Sequence, residues 1–297
     1  MRVMTLLVVL LLGACGERTG EPAPGPERHP LGKADLTGSC QATDGDRCGG
    51  KSAGTCWCDA ACTTWKDCCL DYQATCNFEP PAARRTFADS LSFPGGTAQV
   101  AVAFFDADGT LRVSKSGKTS PDDATDVLLL PGVATGLRAA AQKGELPVIV
   151  SNQGGVAYGY ITFEAAEGAL AETARLLADK KARIQYFDFA TTYGKDRKPN
   201  TGMADRLEQT LADTHGVSID WAKSYMVGDA GWKSSDTEPD GSPGVDFSNS
   251  DRGFAEKLSI PYIHPRTYFG WIAEGVKRFD TAQEVADFRA AHPDFGD

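Results

Sequence analysis

The chain has 297 residues, which is enough for one large domain or two modest ones. Its formal net charge of −10 argues against a protein that coats nucleic acid nonspecifically, because such binding needs many Lys and Arg side chains to neutralise phosphates. The one strongly apolar run, residues 4–12, is too short to span a bilayer as a helix. The sequence therefore predicts a targeting element at this end.

Residues 1–14 predict export. Arg2 precedes the apolar run, which ends in small residues directly before Cys15. The pattern resembles a bacterial lipoprotein signal, in which Cys15 becomes the acylated first residue of the mature chain. The alternative is an ordinary secretory peptide cut after Ala14; lipidation is preferred because Cys15 has no obvious partner among the other eight cysteines. Both interpretations place the protein outside the cytoplasm, and lipidation makes it a membrane-anchored lipoprotein of a bacterial envelope or cell surface.

Composition divides the remainder. Residues 15–38 are polar and rich in Pro and Gly, and they lack the apolar residues that a core requires, which predicts a flexible tether. Eight of the nine cysteines fall between positions 40 and 76, so residues 39–78 are expected to form a separate disulfide-rich domain. A linker over residues 79–98 then leads into a domain over 99–297.

The cysteine-rich segment is too small to be held together by an apolar core. A zinc site is one explanation of such density, but the adjacent pair Cys68-Cys69 and the predicted export favour disulfides. The spacing of the cysteines resembles a somatomedin B domain. That resemblance implies the bridges Cys40–Cys58, Cys48–Cys76, Cys56–Cys69 and Cys62–Cys68. It also implies either a module that binds a protein partner, not identified by the sequence, or a stable spacer between membrane and enzyme.

The long C-terminal domain alternates short apolar runs with amphipathic segments. Strands are predicted over residues 99–105, 147–150, 184–189 and 224–227, and helices over 133–142, 162–180 and 201–214. Strand, helix and strand repeated in this way predict an α/β fold with a parallel sheet and helices on both faces. The chemistry of such sheets lies at the C-terminal ends of the strands.

Two acids follow the first of these strands. Asp106 is the natural nucleophile, and Asp108 is placed to protonate a leaving oxygen and later to activate water. Glycine in the same loop allows the backbone to approach a phosphate. Asp and Gly are also common in ordinary turns, so this loop acquires its significance from the motifs that follow.

Those motifs come in order near later strand ends, and together they resemble the four-motif signature of the haloacid dehalogenase superfamily. They are Ser151-Asn152-Gln153, Arg197-Lys198-Pro199 and Gly228-Asp229. The resemblance implies that Ser151 binds the transferring phosphoryl group and that Lys198 balances its charge. It also implies that Asp229 joins Asp106 and the backbone carbonyl of Asp108 in holding Mg²⁺. The intervals between the motifs leave no room for an inserted cap domain, so a capless, Rossmann-like fold is expected.

A narrower resemblance runs from about Val100 to Phe269. The motifs, with Ser116-Gly117-Lys118, Gly154-Gly155 and residues 246–252, resemble the phosphatase domain of polynucleotide kinase 3′-phosphatases. The expected substrate-binding residues are Thr110, Lys118, Asn152, Gln153 and Arg197. Asp246 and Asp251 are expected to orient the metal site or the neighbouring strand. A capless site is open to a polymer end, although it would also admit any exposed phosphomonoester.

Two departures from that family matter. There is no phosphate-binding loop of the kinase type, because Arg112 stands where its first glycine is required, so no kinase activity is expected. The loop over residues 234–244 carries Asp236, Glu238 and Asp240 where a nucleic-acid path should be basic. The overlapping segment from Asp236 to Asp246 lacks the regular ligand alternation and the terminal Glu of a calcium site, and an exposed loop is expected instead. The residues left to guide a strand end are Lys115, Lys118, Lys195, Arg197 and Arg252.

These observations favour a magnesium-dependent phosphomonoesterase acting on nucleic-acid 3′ ends through an aspartyl-phosphate on Asp106. One alternative keeps the chemistry and replaces the substrate with a small phosphomonoester. The other is an adhesive surface protein that binds through its disulfide module and carries a vestigial enzyme domain.

Overall fold

A computed structural model describes residues 41–42, 45–46, 50–59, 61–62, 67–69, 93 and 96–296. The predicted signal, the tether and Cys15 lie outside this part of the chain, as do Cys40, Cys48 and Cys76. Among the described residues, no helix combines the length and the apolar character that crossing a membrane requires.

Buried cysteines form the core of the described part of the cysteine-rich segment. Strand β1 (Gln41–Ala42) pairs with β2 (Gly45–Asp46) in an antiparallel turn. Two of the implied disulfides are present, Cys56–Cys69 and Cys62–Cys68. These four cysteines and Cys58 are buried and pack against Trp57, in a segment with little other apolar material. The Cys40–Cys58 and Cys48–Cys76 pairs each include a residue outside the described part.

A five-stranded parallel sheet forms the centre of the second domain, in the order β11-β10-β4-β7-β8. The strands are β4 (Val102–Phe105), β7 (Leu146–Asn152), β8 (Tyr186–Ala190), β10 (Tyr225–Val227) and β11 (Tyr262–Ile263). This is the α/β fold of the haloacid dehalogenase type that the sequence predicted. The central position of β4 matters because its neighbours β7 and β10 also end in predicted site residues.

The first predicted strand is not one strand. It divides at Ala101 into β3 (Gln99–Val100) and β4, and β3 pairs with β9 (Ser218–Ile219) outside the main sheet. The Val100 carbonyl accepts a hydrogen bond from Asp220, whereas the Ala101 carbonyl accepts one from Leu146 at the start of β7. The run is uniformly apolar, but its hydrogen-bonding partner changes between these two residues.

Helices cover both faces of the sheet. They are α1 (Val133–Gln142), α2 (Phe163–Asp179), α3 (Gly202–Thr210), α4 (Ser250–Leu258), α5 (Pro265–Tyr268) and α6 (Ala282–Ala291). Helix α1 has the predicted bounds, α2 begins at a cap in which Thr162 accepts from the Ala165 amide, and α3 continues into a π turn over Leu211–His215. Short 3₁₀ turns cover Ala124–Asp126, Trp221–Lys223 and Trp271–Glu274.

The sheet is buried on both faces, and successive residues of β4 feed different cores. Phe104 packs with Val148 and Met226 on one face, and Phe105 packs with Ile149 and other apolar residues on the opposite face. This follows from the two-residue period of a strand, and it explains why the strand sequences are continuously apolar rather than alternating.

The sequence did not predict a hairpin that follows the first site loop. Strand β5 (Arg112–Ser114) pairs with β6 (Val127–Leu129), and the intervening turn lies beside the C-terminal end of the sheet. Apart from this hairpin, the intervals from Asp106 to Ser151 and from Ser151 to Lys198 hold only α1, α2 and strands of the sheet. Within residues 96–296 no folded domain is inserted over the strand ends, so the domain is capless.

The C-terminal segment, defined as residues 270–296, packs back onto the domain. Trp271 is fully buried and its Nε1 donates to the Pro131 carbonyl at 2.8 Å. Phe279 stacks edge-on against Trp271, with ring centroids 5.0 Å apart, and against Phe288 of α6 at 5.3 Å. A capping box of Thr281 and Glu284 begins α6. These contacts fix the chain between the 3₁₀ turn and α6.

Candidate active site

Asp106 follows β4 directly, and its amide donates to the Val227 carbonyl at the end of β10. The loop then turns through Gly109, whose φ of +77° favours glycine. A Cβ atom there would lie 2.2 Å from Oδ2 of Asp229. Glycine is therefore required at this position both for the turn and for the approach of Asp229 to the loop.

Three carboxylates meet at this edge of the sheet. Carboxylate oxygens of Asp106, Asp229 and Asp251 lie within 4.8 Å of one another. Burial raises the pKa of Asp106 to about 7, with Lys198 opposing the rise and Asp251 adding to it. Burial and the charges of Asp106 and Asp251 raise the pKa of Asp229 well above its usual value. Oxygen ligands that repel one another in this way fit a hard divalent cation such as Mg²⁺.

Lys198 supplies one positive charge to this cluster. Its Nζ lies 2.6 Å from Oδ1 of Asp106 and 2.7 Å from Oδ1 of Asp251. Burial disfavours the ammonium, but the two carboxylates outweigh it and raise the pKa of Lys198. Asn152 holds the Lys198 backbone, donating to its carbonyl at 3.0 Å and accepting from its amide at 2.9 Å. The lysine is therefore charged and fixed between two acids.

The Asp108 carboxylate is oriented from both sides. Nε of Arg112 lies 2.8 Å from its Oδ1, and Nε2 of Gln153 donates to its Oδ2 at 2.8 Å. Arg112 is fully buried and also donates to the Thr173 hydroxyl of α2. Gln153 donates in addition to the Ser151 hydroxyl at 2.9 Å. Two buried side chains thus direct Asp108 toward the cavity and connect it to Ser151.

The cluster lies at the bottom of a cavity of about 380 Å³. The walls come from the turn of the β5–β6 hairpin, the ends of β7 and β10, the loop before α4 and the C-terminal segment. Phe247, on the loop before α4, lines this cavity although its side chain is 91% exposed. The cavity is therefore polar at its base and carries an exposed aromatic ring at its edge.

Residues 101–269, more than half of the chain, match the family model described as polynucleotide kinase 3 phosphatase. The chain belongs to this family. Together with the relatives below, this makes the protein a phosphomonoesterase of the haloacid dehalogenase superfamily.

Three curated relatives cover different shares of this phosphatase. An uncharacterized 20.8 kDa protein of Autographa californica nuclear polyhedrosis virus is 33% identical over 175 residues, 58% of this chain and 87% of that one. A bifunctional polynucleotide phosphatase/kinase of Schizosaccharomyces pombe is 34% identical over 197 residues, 64% of this chain and 43% of its own. A D-glycero-beta-D-manno-heptose-1,7-bisphosphate 7-phosphatase of Mesorhizobium japonicum is 30% identical over 137 residues, covering 42% and 59%. The match thus spans less than two thirds of the last two proteins.

Solved structures include a HAD-like phosphatase from Mesorhizobium loti. It is 20% identical to this phosphatase, with a TM-score of 0.45, over 62% of this chain and 78% of that one. A D,D-heptose 1,7-bisphosphate phosphatase from B. bronchiseptica, solved with magnesium and phosphate, is 18% identical with a TM-score of 0.42, over 55% and 80%.

The structure brings the predicted catalytic residues of the phosphatase together. Asp106, Asp108, Ser151 and Lys198 all line the cavity, and so does Asp229. Ser151 and Asn152 belong to β7 itself rather than to a loop after it, because the strand is longer than predicted.

The predicted substrate contacts fall into two groups. Lys118, Asn152 and Arg197 line the cavity, with Arg197 placed 4.4 Å over the Tyr193 ring. Thr110 and Gln153 are buried outside its lining. Thr110 accepts a hydrogen bond from the Asp229 amide, and Gln153 donates one to the Asp108 carboxylate. In this structure both side chains hydrogen-bond to other predicted site residues, and their contact with substrate stays a prediction.

The sequence predicted that Asp251 orients the metal site or the neighbouring strand, but not that it belongs to the carboxylate cluster. The Ala230 amide donates to its Oδ2, and a Cβ at Gly228 would lie 2.2 Å from the same oxygen. Asp246 ties the loop after β10, accepting from the amides of Gly231 and Trp232. The available signal was the acid-rich motif at 246–252, in which only the fold distinguishes the two aspartates.

The acidic loop over residues 234–244 is not simply exposed. Glu238 is buried and paired with Arg266, and Asp236 lies 3.0 Å from Arg252. Arg252 also lies 4.0 Å over the Trp232 ring. The expectation of an exposed acidic loop is therefore wrong for Glu238. The same contacts hold Arg252 against the loop, and its part in guiding a nucleic-acid strand stays a prediction.

Proposed function

We propose that the protein is a magnesium-dependent phosphomonoesterase that removes the phosphate from nucleic-acid 3′ ends. The observation that carries this proposal is the exposed ring of Phe247 at the edge of the catalytic cavity. An apolar ring left in water beside a phosphate site suits stacking with a nucleobase, and such stacking is worth about 1–3 kcal/mol per base. Lys118 and Arg197 on the same cavity supply charge for the strand backbone.

The geometry supports a two-step transfer. Oδ1 of Asp106 is bound to Lys198, which leaves Oδ2 to attack phosphorus and form an aspartyl-phosphate while the bond to the leaving 3′ oxygen breaks. Asp108 gives its proton to that oxygen. Asp108 then removes a proton from a water molecule, which attacks phosphorus, releases inorganic phosphate and restores the Asp106 carboxylate.

The remaining charges are arranged around the phosphoryl group. Lys198 and the Ser151 hydroxyl stabilise its oxygens, and Arg112 with Gln153 keeps Asp108 directed at the leaving oxygen. Asp106, Asp229 and the backbone carbonyl of Asp108 would hold Mg²⁺, with Asp251 as an adjacent acid. When bound, the ion supplies Lewis-acid charge that offsets repulsion between Asp106 and the phosphate.

The test uses the purified full chain with magnesium. Phosphate release is measured from a 3′-phosphorylated oligonucleotide, a 5′-phosphorylated one and a set of sugar phosphates. We expect preference for the 3′ end and complete loss of hydrolysis in Asp106→Asn. Equal turnover of sugar phosphates would contradict the nucleic-acid assignment and leave the phosphatase chemistry standing.

The second candidate is a phosphatase of small phosphomonoesters, favoured by the identity shared with the heptose bisphosphate phosphatase. Phe247→Ala separates the two. If the ring stacks on a base, kcat/KM for the oligonucleotide falls by about 5- to 150-fold while small substrates are unaffected. No change for the oligonucleotide would favour the small-substrate candidate.

We also propose that the enzyme acts outside the cytoplasm, anchored by a lipid on Cys15. The support is the targeting pattern of residues 1–15 and the disulfides of the neighbouring module, which persist in oxidising compartments. Incorporation of labelled fatty acid in the wild type and its absence in Cys15→Ser would establish the anchor. Labelling of both would refute it.

The cysteine-rich module is proposed as a partner-binding or spacing element. If the phosphatase domain were vestigial, as in the adhesive alternative, the wild type would hydrolyse none of the substrates and Asp106→Asn would leave partner binding intact. The intact carboxylate cluster with Lys198 supports a working enzyme instead.

A further inference from the structure

The C-terminal segment supplies part of the catalytic cavity. The family match ends at residue 269, yet three consecutive residues beyond it line the cavity: Arg278, Phe279 and Asp280. This part of the wall therefore comes from outside the region that defines the family. The segment also brings a cation into the cavity, which the nucleophile and its immediate partners do not use.

The position of Arg278 is fixed by its neighbours. Phe279 is buried against Trp271 and Phe288, so the backbone at this point cannot move away from the domain without exposing its ring. The Asp280 amide donates to Glu284 at 2.8 Å in the first turn of α6. Arg278 thus directly precedes two anchored residues.

The guanidinium of Arg278 is partly desolvated and directed by an acid. Its Nη2 lies 2.5 Å from Oδ1 of Asp280, and its side chain is 34% exposed. A guanidinium carries five N–H donors, so this pairing leaves others for an anion in the cavity.

The transferring phosphoryl group already has its partners in Lys198, Ser151 and the metal site. Arg278 is on a different wall of the cavity, contributed by a different segment, and carries a charge that a single phosphomonoester does not need. A substrate with a second phosphate next to the first would need it. In a nucleic acid, that group is the phosphodiester on the 5′ side of the terminal nucleotide.

We propose that Arg278 binds this second phosphate and so selects 3′-phosphorylated nucleotides that also carry a 5′ phosphate. The proposal rests on the proposed function and names the group that distinguishes a strand end from a mononucleotide. Arg278 is a substrate-binding residue in this role and takes no part in the chemical step.

The experiment compares three substrates of the full-length enzyme with magnesium: thymidine 3′-phosphate, thymidine 3′,5′-bisphosphate and a 3′-phosphorylated oligonucleotide. For the wild type we expect higher kcat/KM on the last two than on the first. Arg278→Ala should lower kcat/KM by about 10- to 100-fold on those two and leave thymidine 3′-phosphate unchanged, the loss expected for a charge-assisted pair. Arg278→Lys should restore part of it.

Arg175→Ala is the matched control, because Arg175 is also paired with acids but lies outside the cavity lining. An equal loss on all three substrates would overturn the proposal, since Arg278 would then act on the reacting group or the metal site. So would a wild type that does not prefer the bisphosphate over the monophosphate.

Failure of the proposed function has a different signature. It appears in the wild type alone, as a lack of preference for 3′-phosphorylated nucleotides over other phosphomonoesters. If Arg278→Ala is not folded by circular dichroism, Arg278→Gln replaces it, because glutamine retains a donor for Asp280 and most of the length. The same pattern of losses is then required.

Discussion

Arg112 shows how one buried side chain can determine the role of a catalytic acid. It is fully enclosed, yet its charge is matched by Asp108 at 2.8 Å and its Nη1 donates to Thr173. Removing one member of such a pair leaves a charge without its partner, which is costly in a buried setting. In the sequence, Arg112 stands in the apolar run Leu111-Arg112-Val113, where a charge has no local explanation.

Arg112→Met should therefore disturb general acid catalysis more than phosphoryl transfer itself. We expect kcat for a 3′-phosphorylated oligonucleotide to fall by about 10²- to 10⁴-fold, because its alkoxide leaving group needs the Asp108 proton. For p-nitrophenyl phosphate, whose leaving group needs no proton, the loss should be much smaller. Steady-state kinetics on both substrates checks this. An equal loss on both would mean that Arg112 supports the whole site rather than Asp108.

Two glycines with similar φ angles allow the effect of backbone strain to be distinguished from that of steric crowding. Gly109 and Gly144 both have positive φ, +77° and +80°. A Cβ at Gly109 would collide with Asp229, whereas one at Gly144 meets nothing within 4 Å. Gly144→Ala should lose about 1 kcal/mol of stability and keep its activity.

Gly109→Ala should instead displace Asp229 and abolish magnesium-dependent hydrolysis. Denaturant unfolding and kcat, measured for both variants, test the contrast. If Gly109→Ala retained wild-type activity, Asp229 could not occupy the position seen here.

At the scale of elements, the loop after β10 depends on a single carboxylate. Asp246 accepts from two backbone amides, Gly231 and Trp232, and lies 3.5 Å from Nε2 of His264. Burial alone would raise the pKa of Asp246, but the hydrogen bonds with His264 and the two amides outweigh it and lower that pKa. The ionised carboxylate is therefore part of the loop's structure.

The lowered pKa of Asp246 determines how the stability of the protein changes with pH. Because the pKa of Asp246 is lower in the folded than in the unfolded protein, the stability it contributes is full above the unfolded value of about 4. It is lost as the pH falls through the lowered folded value. Asp246→Asn should be about 1–3 kcal/mol less stable than the wild type at pH 7, and the difference should shrink below about pH 4.

Urea unfolding from pH 7 down to pH 3 measures this difference. The exposed Asp287→Asn on α6 is the control and should stay within about 0.5 kcal/mol of the wild type. A gap between wild type and Asp246→Asn that stayed constant with pH would show that the lost stability does not come from the ionised carboxylate.

Elements were predictable where the signal in the sequence is local. Helix α1 has an amphipathic pattern that fixes its bounds, and the apolar strands could be located because a sheet buried on both faces reads as continuous apolar runs. The division of the first run at Ala101 was not predictable, since it records a change of distant partner from Asp220 to Leu146. The β5–β6 hairpin was missed because Arg112 interrupts its apolar pattern.

The residues of the site also divide into those that a local motif indicates and those that only tertiary contacts place there. Asp106, Asp108, Ser151, Lys198 and Asp229 were predictable as cavity residues because each sits in a short motif at a strand end or, for Lys198, before a helix. Asp251 and Arg278 were not, because their places depend on tertiary contacts: an amide of the loop after β10 for Asp251, and buried aromatic rings for Arg278. Motifs identify the chemistry, whereas packing determines what else reaches the cavity.

At the scale of the whole molecule, the carboxylate cluster couples cation binding to folding. The folded site brings three acids together, so a cation that binds only this state stabilises it by mass action. We expect Mg²⁺ at 100 times its dissociation constant to stabilise the wild type by about 2.7 kcal/mol. Thermal unfolding with and without Mg²⁺ measures this, and EDTA should reverse both the stabilisation and the hydrolysis.

Asp229→Asn removes one negative charge from the proposed ligand set and should lose most of that magnesium-dependent shift, whereas Phe247→Ala, at the cavity edge, should keep it. An equal shift in wild type and Asp229→Asn would place the cation elsewhere.

The order of the strands in the sheet sets the distances between the residues of the active site. Asp106, Ser151 and Gly228 with Asp229 extend from three adjacent strands, in the register that pairs Phe105 with Ile149 and with Val227. The spacing between the nucleophile and its partners is thus the spacing of hydrogen-bonded strands, about 4.8 Å, which the backbone sets and side chains cannot easily change. Residues in the loops around the sheet can be substituted without changing this spacing. Substrate specificity can therefore change while the arrangement of the reacting groups stays the same.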